Sequence, residues 1–328
     1  MSTVYLHVGP HKTGTTYLQY LFATQAKSLE QQGILYPSVG RGQFNGHHNI
    51  AWFLANIPFS NVERSDLSKS ILKLARQDQG NILLSSEEFS KLDKFQLMEL
   101  RKVFWQKKFH VLYFKRNGTQ LIISLWQEII KSGSTRPLNK ATENVMKTRH
   151  HKYDPFAHEA NILRYKRGLR GEVSVFNYNN LISNKLDLSI PIAEVLNIKL
   201  QSERIKINTR FSSETIELIR AANLYSRTID KYLIRKNPGQ ICLKVMKIPF
   251  LGNILKKHVN DNFAKLQQIL TPQDFLNMGY QSSSFLGEDQ NIVYKYIPGD
   301  IMLDALNQKN ILPWKIIKII IKNNISWR

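Results

Sequence analysis

The sequence contains one cysteine, Cys242, among 328 residues. A single thiol excludes a disulfide framework and a cysteine-rich metal site, so we expect it to be a small core residue. Long apolar runs are also missing. No segment approaches the roughly 20 residues that span a bilayer, and no basic N-terminal region precedes an apolar stretch. We therefore expect a cytoplasmic protein without a signal peptide or a membrane-spanning anchor.

Acidic residues are scarce, because 25 Asp and Glu stand against 46 Lys and Arg, which gives a net charge of +21. A field of this sign favours anionic partners such as nucleotides, nucleic acids, acidic glycans or anionic lipids. The basic residues are spread along the chain, without an arginine-rich tail or a nucleic-acid-binding motif. We therefore do not expect nucleic acid to be the partner.

Short apolar runs alternate with amphipathic segments through the first two thirds of the chain. The spacing predicts helices that begin near Thr15 and Asn49, further helices at 67–80 and 118–131, and one that begins at Ser212 or Ser213. The predicted strands are 3–9, 34–37, 82–85, 109–115 and 172–177. This alternation indicates an α/β fold, in which helices cover both faces of a parallel sheet.

The first predicted strand runs into "GPHKTGTT", which resembles a phosphate-binding loop. In the Walker pattern the lysine stands beside the Ser or Thr, but here Lys12 precedes Gly14 by two residues. Backbone N–H groups at the start of the following helix would point at an anion, and the helix dipole would add to them. Lys12 supplies a mobile charge. Hydroxyl donors come from Thr13, Thr15 and Thr16.

"HVGPHKTGTTYLQ" is similar to the 5′-phosphosulfate loop of the sulfotransferases that use 3′-phosphoadenosine 5′-phosphosulfate (PAPS). The Lys-Thr-Gly-Thr-Thr core resembles the bacterial and carbohydrate-acting branch, whereas His11 departs from the cytosolic small-molecule branch. The resemblance implies a P-loop-type three-layer fold with PAPS as donor and adenosine 3′,5′-bisphosphate as product. It implies no metal, and it places His11, Lys12, Thr13, Gly14, Thr15 and Thr16 around the phosphosulfate.

A second anion site is expected for the 3′-phosphate of PAPS, which ATP lacks. The family builds this site from an arginine at the end of a strand and a serine about eight residues later. "VLYFKRNGTQLIISLW" offers Arg116 and Ser124 at that spacing. The guanidinium would bind the phosphate through its fork of donors, and the serine would add a hydroxyl. By resemblance, Arg210 is a further candidate ligand of the 3′-phosphate.

Two short segments supply candidates for the catalytic base that removes the acceptor proton. "SSEEF" places Glu87 and Glu88 just after a strand, where glycan-acting relatives use a glutamate. "GHHNIA" places His47 and His48 at a loop-to-helix junction, and histidine suits proton removal near neutral pH. Glu87 is preferred, with His48 orienting the acceptor or serving as the base itself. Lys12 would neutralise charge that develops on the leaving oxygen.

Beyond residue 225 the composition changes, which predicts an α/β domain at 1–225 and a basic, mainly helical extension at 226–328. On a helix, Lys315, Lys318 and Lys322 would share one face beside apolar residues. This pattern is typical of a helix on an anionic membrane surface, although docking on the core or a dimer contact would also explain it. The extension is therefore expected to contact the acceptor, another copy or the cytoplasmic membrane face.

The sequence thus predicts a PAPS-dependent sulfotransferase that acts on a hydroxyl or amine of a carbohydrate or glycolipid. Two other functions stay open. A P-loop kinase would use ATP and magnesium, with Glu87 or Glu88 as the metal carboxylate. A non-catalytic nucleotide-binding protein would bind the donor without turnover.

Overall fold

The computed structural model describes residues 2–42, 45–59, 62–77, 80–147, 154–201, 211–229, 268–271, 274 and 294–298. The chain divides into two compact units. The first comprises Met1–Gly118 and Arg149–Asn208, and the second comprises Thr119–Thr148 and Thr209–Arg328. The compositional boundary at residue 225 is a different division, and it stays a prediction.

A five-stranded parallel sheet forms the centre of the first unit. Its strands are β1 (Thr3–Val8), β2 (Ile34–Leu35), β3 (Asn81–Ser85), β4 (Lys108–Lys115) and β5 (Glu172–Asn177). Their spatial order is β2-β3-β1-β4-β5, so β1 is central and lies between β3 and β4. Because all strands are parallel, the carboxyl ends of β1, β3 and β4 meet at one edge, where open α/β sheets bind ligands.

Helices follow most of the strands, as the sequence predicts. They are α1 (Thr15–Thr24), α2 (Ala26–Gln31), α3 (His48–Leu54), α4 (Arg64–Ala75), α5 (Lys94–Val103), α6 (Gly118–Lys131), α7 (Leu138–Lys147), α8 (His158–Leu169), α9 (Tyr178–Ser183), α10 (Ile190–Leu196) and α11 (Ser213–Ile229). The segment that begins at Thr15 forms two helices, because the chain breaks at Gln25, instead of the single predicted helix. Helices α9 and α10 were not predicted.

Both faces of the sheet are buried, as the apolar strands require. Successive side chains of a strand point to opposite faces, so alternate residues of β4 enter different cores. Val111 and Tyr113 pack with the core beneath α4, α5 and α8. Leu112 and Phe114 pack with the core beneath α1 and α10. This three-layer arrangement confirms the predicted α/β fold class.

The second unit contains α7, α11 and most of α6, together with two short antiparallel strands, β6 (Gln268–Leu270) and β7 (Tyr294–Tyr296). This small sheet was not predicted in a region expected to be mainly helical. In its core, Arg220 Nε lies 2.6 Å from Glu217 Oε2, and neither side chain is exposed to solvent. Ile297 completes this pair, since its carbonyl accepts from Arg220 and its N–H donates to Glu217.

The predicted membrane-surface helix containing Lys315, Lys318 and Lys322 lies outside the described residues. In the part of the chain that the structure describes, no helix has both the length and the apolar character needed to cross a membrane.

Candidate active site

The loop between β1 and α1 has a tightly fixed backbone. Lys12 adopts a left-handed conformation with φ 72°, and Gly14 follows with φ 79°. Such a conformation is uncommon for a residue other than glycine, and strained residues of this kind cluster at functional sites. The Thr13 hydroxyl is buried and donates to the carbonyl of Pro10 at 2.9 Å. The Thr13 side chain therefore stabilises the loop from within.

Helix α1 begins at this loop without a capping side chain. Gly14 is its N-cap residue and has no side chain that could accept from the first turn, which also contains no acidic residue. The first N–H groups of a helix have no partner inside the helix, and they carry the positive end of its dipole. Thr15 is buried and Thr16 is half-buried in this first turn. The arrangement suits an anion held by main-chain N–H groups.

Arg116 reaches the same loop from the neighbouring strand. It follows β4 directly, and only 7% of the residue is exposed. Its Nη1 donates to the carbonyl of Lys12. Its own carbonyl accepts from His158 Nε2 at 2.9 Å, and His158 Nδ1 lies 2.8 Å from the Tyr113 hydroxyl. Burial lowers the pKa of His158, so the neutral ring accepts at Nδ1 and donates from Nε2. The two cationic residues of the predicted donor site are thus adjacent.

Tyr178 and Leu188 complete the surroundings of the loop. The Arg116 guanidinium stacks over the Tyr178 ring at 4.8 Å from its centroid. A Cβ atom on Gly14 would come within 2.2 Å of Leu188 Cδ1, so only glycine fits there. His158 and Leu188 were not predicted, because neither belongs to a motif.

Glu87 lies at the end of β3, beside the loop, and forms one polar cluster with Gln19 and His48. Its Oε2 accepts from Gln19 Nε2 at 2.8 Å and lies 4.0 Å from His48 Nδ1. Burial raises the pKa of Glu87, but His48 and the Gln19 hydrogen bond outweigh burial, so the pKa is lowered overall. Glu87 is therefore ionised at neutral pH.

The His48 ring is held from two sides. Its Nδ1 lies 2.7 Å from Ser86 Oγ, and the ring stacks on Trp52 with centroids 5.7 Å apart. Gly46 permits this arrangement, because a Cβ atom there would lie 2.6 Å from His48 Nε2. The structure therefore brings the two preferred candidates for the base together, next to the phosphate loop.

Glu88 has different partners from Glu87. Both of its carboxylate oxygens accept from Lys91 Nζ at 2.9 Å, and Oε2 accepts from Trp52 Nε1 at 3.3 Å. His11, inside the loop, places Nε2 at 3.4 Å from Glu88 Oε1. Burial lowers the pKa of His11, and Lys91 lowers it further. Glu88, in the turn after β3, thus pairs with Lys91 and contacts His11 of the loop.

His47 and His7 are buried parts of the framework beneath the site. The His47 ring accepts from the N–H of Ser85 and donates to the carbonyl of Pro37, so neither nitrogen is available as a base. Burial lowers the pKa of His47 to about 3 and that of His7 to about 4. His7 Nδ1 lies 2.7 Å from Ser85 Oγ. His47, one of the four candidates for the base, is therefore structural.

Two further residues, Ser124 and Arg210, were predicted to bind the 3′-phosphate. Ser124 is half-buried on α6 in the second unit. Arg210 lies outside the described residues. In the described ranges, no three His, Cys, Asp or Glu side chains come together as a metal-ligand group.

The family model of the sulfotransferase domain matches residues 3–224, which is more than half of the chain. The chain belongs to the sulfotransferase family. The enzyme is therefore a transferase that moves a sulfuryl group. A comparison with curated proteins found no match. Among solved structures, a sulfotransferase from Alicyclobacillus acidocaldarius is similar with 13% identity and a TM-score of 0.40, covering 62% of this chain and 85% of that one.

Proposed function

We propose that this sulfotransferase transfers a sulfuryl group from PAPS to a hydroxyl of a carbohydrate acceptor. One observation supports the choice of donor: Arg116 after β4 donates to the carbonyl of Lys12 in the loop after β1, so cationic residues from two neighbouring strands are adjacent. PAPS presents anionic groups at both its 5′ and 3′ ends, so it needs two anchoring points. The uncapped start of α1 would hold the 5′-phosphosulfate, and Arg116 the 3′-phosphate.

The chain's own residues supply the charge and orientation that the reaction needs. When bound, PAPS provides the sulfuryl group, whose bond to the phosphate oxygen breaks as the acceptor oxygen forms a new bond to sulfur. Lys12 and the N–H groups of α1 would stabilise the negative charge on the departing bisphosphate. Holding donor and acceptor in line contributes much of the rate enhancement in such transfers.

Glu87 is the proposed acceptor of the proton from the attacking hydroxyl. The carboxylate is ionised and partly exposed, with 17% of its side chain accessible, and Gln19 fixes its orientation. A lowered pKa makes it a weak base. A weak base is sufficient if the transition state is loose, as in phosphoryl transfer, because the acceptor then loses its proton late. His48, whose Nδ1 lies 4.0 Å from Glu87 Oε2, would orient the acceptor.

The carbohydrate or glycolipid acceptor is supported by the Lys-Thr-Gly-Thr-Thr core and by the glutamate after β3. The basic balance of the chain suits an acceptor that is itself anionic. Contact of the C-terminal basic segment with an anionic membrane face would place the enzyme near a lipid-linked acceptor. Vesicle sedimentation with and without anionic lipid tests that part of the proposal.

A thermal-shift experiment tests the donor. Adenosine 3′,5′-bisphosphate at about 100 times its Kd should stabilise the protein by about 2.7 kcal/mol, which is a rise of several degrees in Tm. AMP, which lacks the 3′-phosphate, should stabilise it less. ATP with magnesium is the ligand that a P-loop kinase would need. Stabilisation by ATP and magnesium alone would overturn the proposal in favour of a kinase.

A transfer assay separates an enzyme from a protein that only binds the donor. Purified protein is incubated with PAPS labelled in the sulfuryl group and with glycans extracted from the source cells. Label should enter a glycan, with adenosine 3′,5′-bisphosphate released in equal amount. Binding of the bisphosphate without any transfer would instead support a non-catalytic role.

A further inference from the structure

A second cleft lies at the opposite edge of the sheet from the phosphate loop. It is formed where β1, β4 and β5 begin and where α5 and α8 end, and it has a volume of about 770 Å³. This size is typical of small-molecule sites. Because β1 is six residues long, its two ends are roughly 20 Å apart. A ligand in this cleft would not touch the reacting atoms. We call this cleft the rear cleft.

The lining of the rear cleft is strongly basic. It includes Glu172 as its one acidic side chain, against five basic residues. These are Arg101, Lys102, Lys107, Lys108 and Arg170. His110 Nδ1 lies 3.7 Å from Glu172 Oε2. The cleft therefore carries a net positive charge.

Several of these cations have no carboxylate partner. Lys102 pairs with Glu99 at 2.6 Å, but no described carboxylate pairs with Arg101, Lys108 or Arg170. Arg101 also has a buried Nε that makes no hydrogen bond in the described part of the chain. The negative end of a helix dipole explains basic residues in the last turn of α5. It does not explain Lys108, which begins β4.

Two features of the rim indicate a ligand instead of a solvated basic surface. Trp105 is 72% exposed, although an indole ring is costly to leave in water. Arg170 ends α8 in the left-handed conformation, with φ 51° and ψ 42°, where glycine is usual. This conformation is unfavourable for arginine, because its Cβ crowds the backbone. Strain of this kind is common at ligand-binding positions.

We propose that the rear cleft binds a sulfated segment of a saccharide, with Arg101, Lys108 and Arg170 on its sulfates and Trp105 against a sugar ring. The choice of saccharide rests on the proposed function, in which the product is a sulfated carbohydrate. The cleft would retain a sulfated part of a polymeric acceptor while another part reacts at the loop. The lysine and arginine side chains would bind the sulfates, and the exposed aromatic ring would pack against the flat apolar face of a sugar.

Isothermal titration with four probes tests this proposal. The probes are a chondroitin 4-sulfate hexasaccharide, the unsulfated hexasaccharide, inorganic sulfate and hexathymidylate. Titrations are made with saturating adenosine 3′,5′-bisphosphate and repeated with Lys12→Ala, so that the loop does not contribute. The sulfated hexasaccharide should bind most tightly, and its affinity should fall with added salt. Equal binding of inorganic sulfate or of the unsulfated hexasaccharide would overturn the proposal, and tighter binding of hexathymidylate would replace the saccharide with a nucleic acid.

Arg170→Gly is the most informative variant. It should weaken binding of the sulfated hexasaccharide about tenfold, because a charge-assisted contact is lost, while Tm stays the same or rises, because glycine relieves the strain. Lys69→Ala is the matched control, since Lys69 lies on α4 with 79% of its side chain exposed. Equal affinities of these two variants would overturn the proposal. Failure of the bisphosphate to raise Tm would count only against the proposed donor, because hexasaccharide binding is measured separately.

Discussion

The guanidinium of Arg116 donates a hydrogen bond to the main-chain carbonyl of Lys12, so the end of β4 fixes the backbone of the phosphate loop after β1. Two cationic residues that are far apart in the sequence thereby become neighbours. The carbonyl of Arg116 is itself held by His158, which continues the support into α8. Shape and charge at this site therefore depend on the same contact.

Arg116→Ala should reduce the affinity for adenosine 3′,5′-bisphosphate by about 10- to 100-fold, which is the usual cost of losing a charged hydrogen bond. The loss should be smaller for AMP, because AMP has no 3′-phosphate. Titration of both nucleotides measures the preference. Lys115→Ala is the control, since Lys115 is also basic but pairs with Glu159 at 3.5 Å. An unchanged preference in Arg116→Ala would assign the 3′-phosphate to another residue.

Glu87→Gln should lower kcat by about 10²–10⁴-fold, as expected for loss of a general base. The affinity for the bisphosphate should stay within a few-fold of wild type, because Gln preserves the shape. Glu88→Gln provides the comparison, since Glu88 is engaged by Lys91 and Trp52. Steady-state sulfuryl transfer measures kcat for both variants. A larger fall in Glu88→Gln would exchange their roles.

The pH dependence of kcat separates Glu87 from His48 as the base. Burial raises the pKa of Glu87, but His48 and the Gln19 hydrogen bond lower it by more. The pKa is therefore below its ordinary value of 4.5, and the carboxylate stays ionised. We therefore expect kcat to change little between about pH 8 and pH 6. A histidine base would instead lose activity below about pH 6.5. If kcat fell below about pH 6.5 in the wild type but not in His48→Gln, His48 would be the base.

Gly14→Ala should destabilise the protein and abolish binding of the bisphosphate. The φ of 79° is unfavourable for alanine, and the new Cβ would lie 2.2 Å from Leu188 Cδ1. Gly33→Ala is a matched control, because Gly33 has φ 82° but no atom within 4 Å of the added Cβ. Gly33→Ala should lower the free energy of unfolding by only about 1 kcal/mol, because alanine is unfavourable at a positive φ. Urea unfolding of both variants should therefore show a larger loss for Gly14→Ala.

Acid should unfold the first unit because His7 and His47 are buried in the neutral form. Their pKa values fall from 6.5 to about 4 and about 3. The unfolded chain therefore binds more protons below pH 6.5, and stability decreases as the pH falls from there. Each histidine contributes a slope of up to about 1.4 kcal/mol per pH unit. Urea unfolding from pH 7.5 to pH 5 measures how the free energy of unfolding depends on pH. If that dependence were as steep in His47→Gln as in the wild type, this account would be contradicted.

The sequence was sufficient for the strands and for most helices of the first unit, because their apolar spacing is regular. The loop and Arg116 were found from local motifs, since each stands at the carboxyl end of a predicted strand. Gln19 and Ser86 were not found as supports of Glu87 and His48. Their roles depend on which side chains meet after β1 and β3 pair, and the local spacing of residues does not predict that pairing. His47 and His48 share one motif, and the hydrogen bonds to both ring nitrogens of His47 are what exclude it as the base.

The small sheet of β6 and β7 escaped prediction for a related reason. Two three-residue strands are too short to give a periodic pattern. The exposed side of the rear cleft was not predicted either, because Trp105 and Arg170 follow different helices and share no motif.

The ion pair of Glu217 and Arg220 has a consequence for the order in which the chain folds during synthesis. Ile297, which bonds to both side chains, leaves the ribosome 77 residues after Arg220. At about 5–20 residues per second, that interval is roughly 4 to 15 s. During this time α11 carries two charges that cannot yet be buried with their final partners. The second unit therefore closes late, whereas every strand of the first sheet has already been made by the time Asn177 is added.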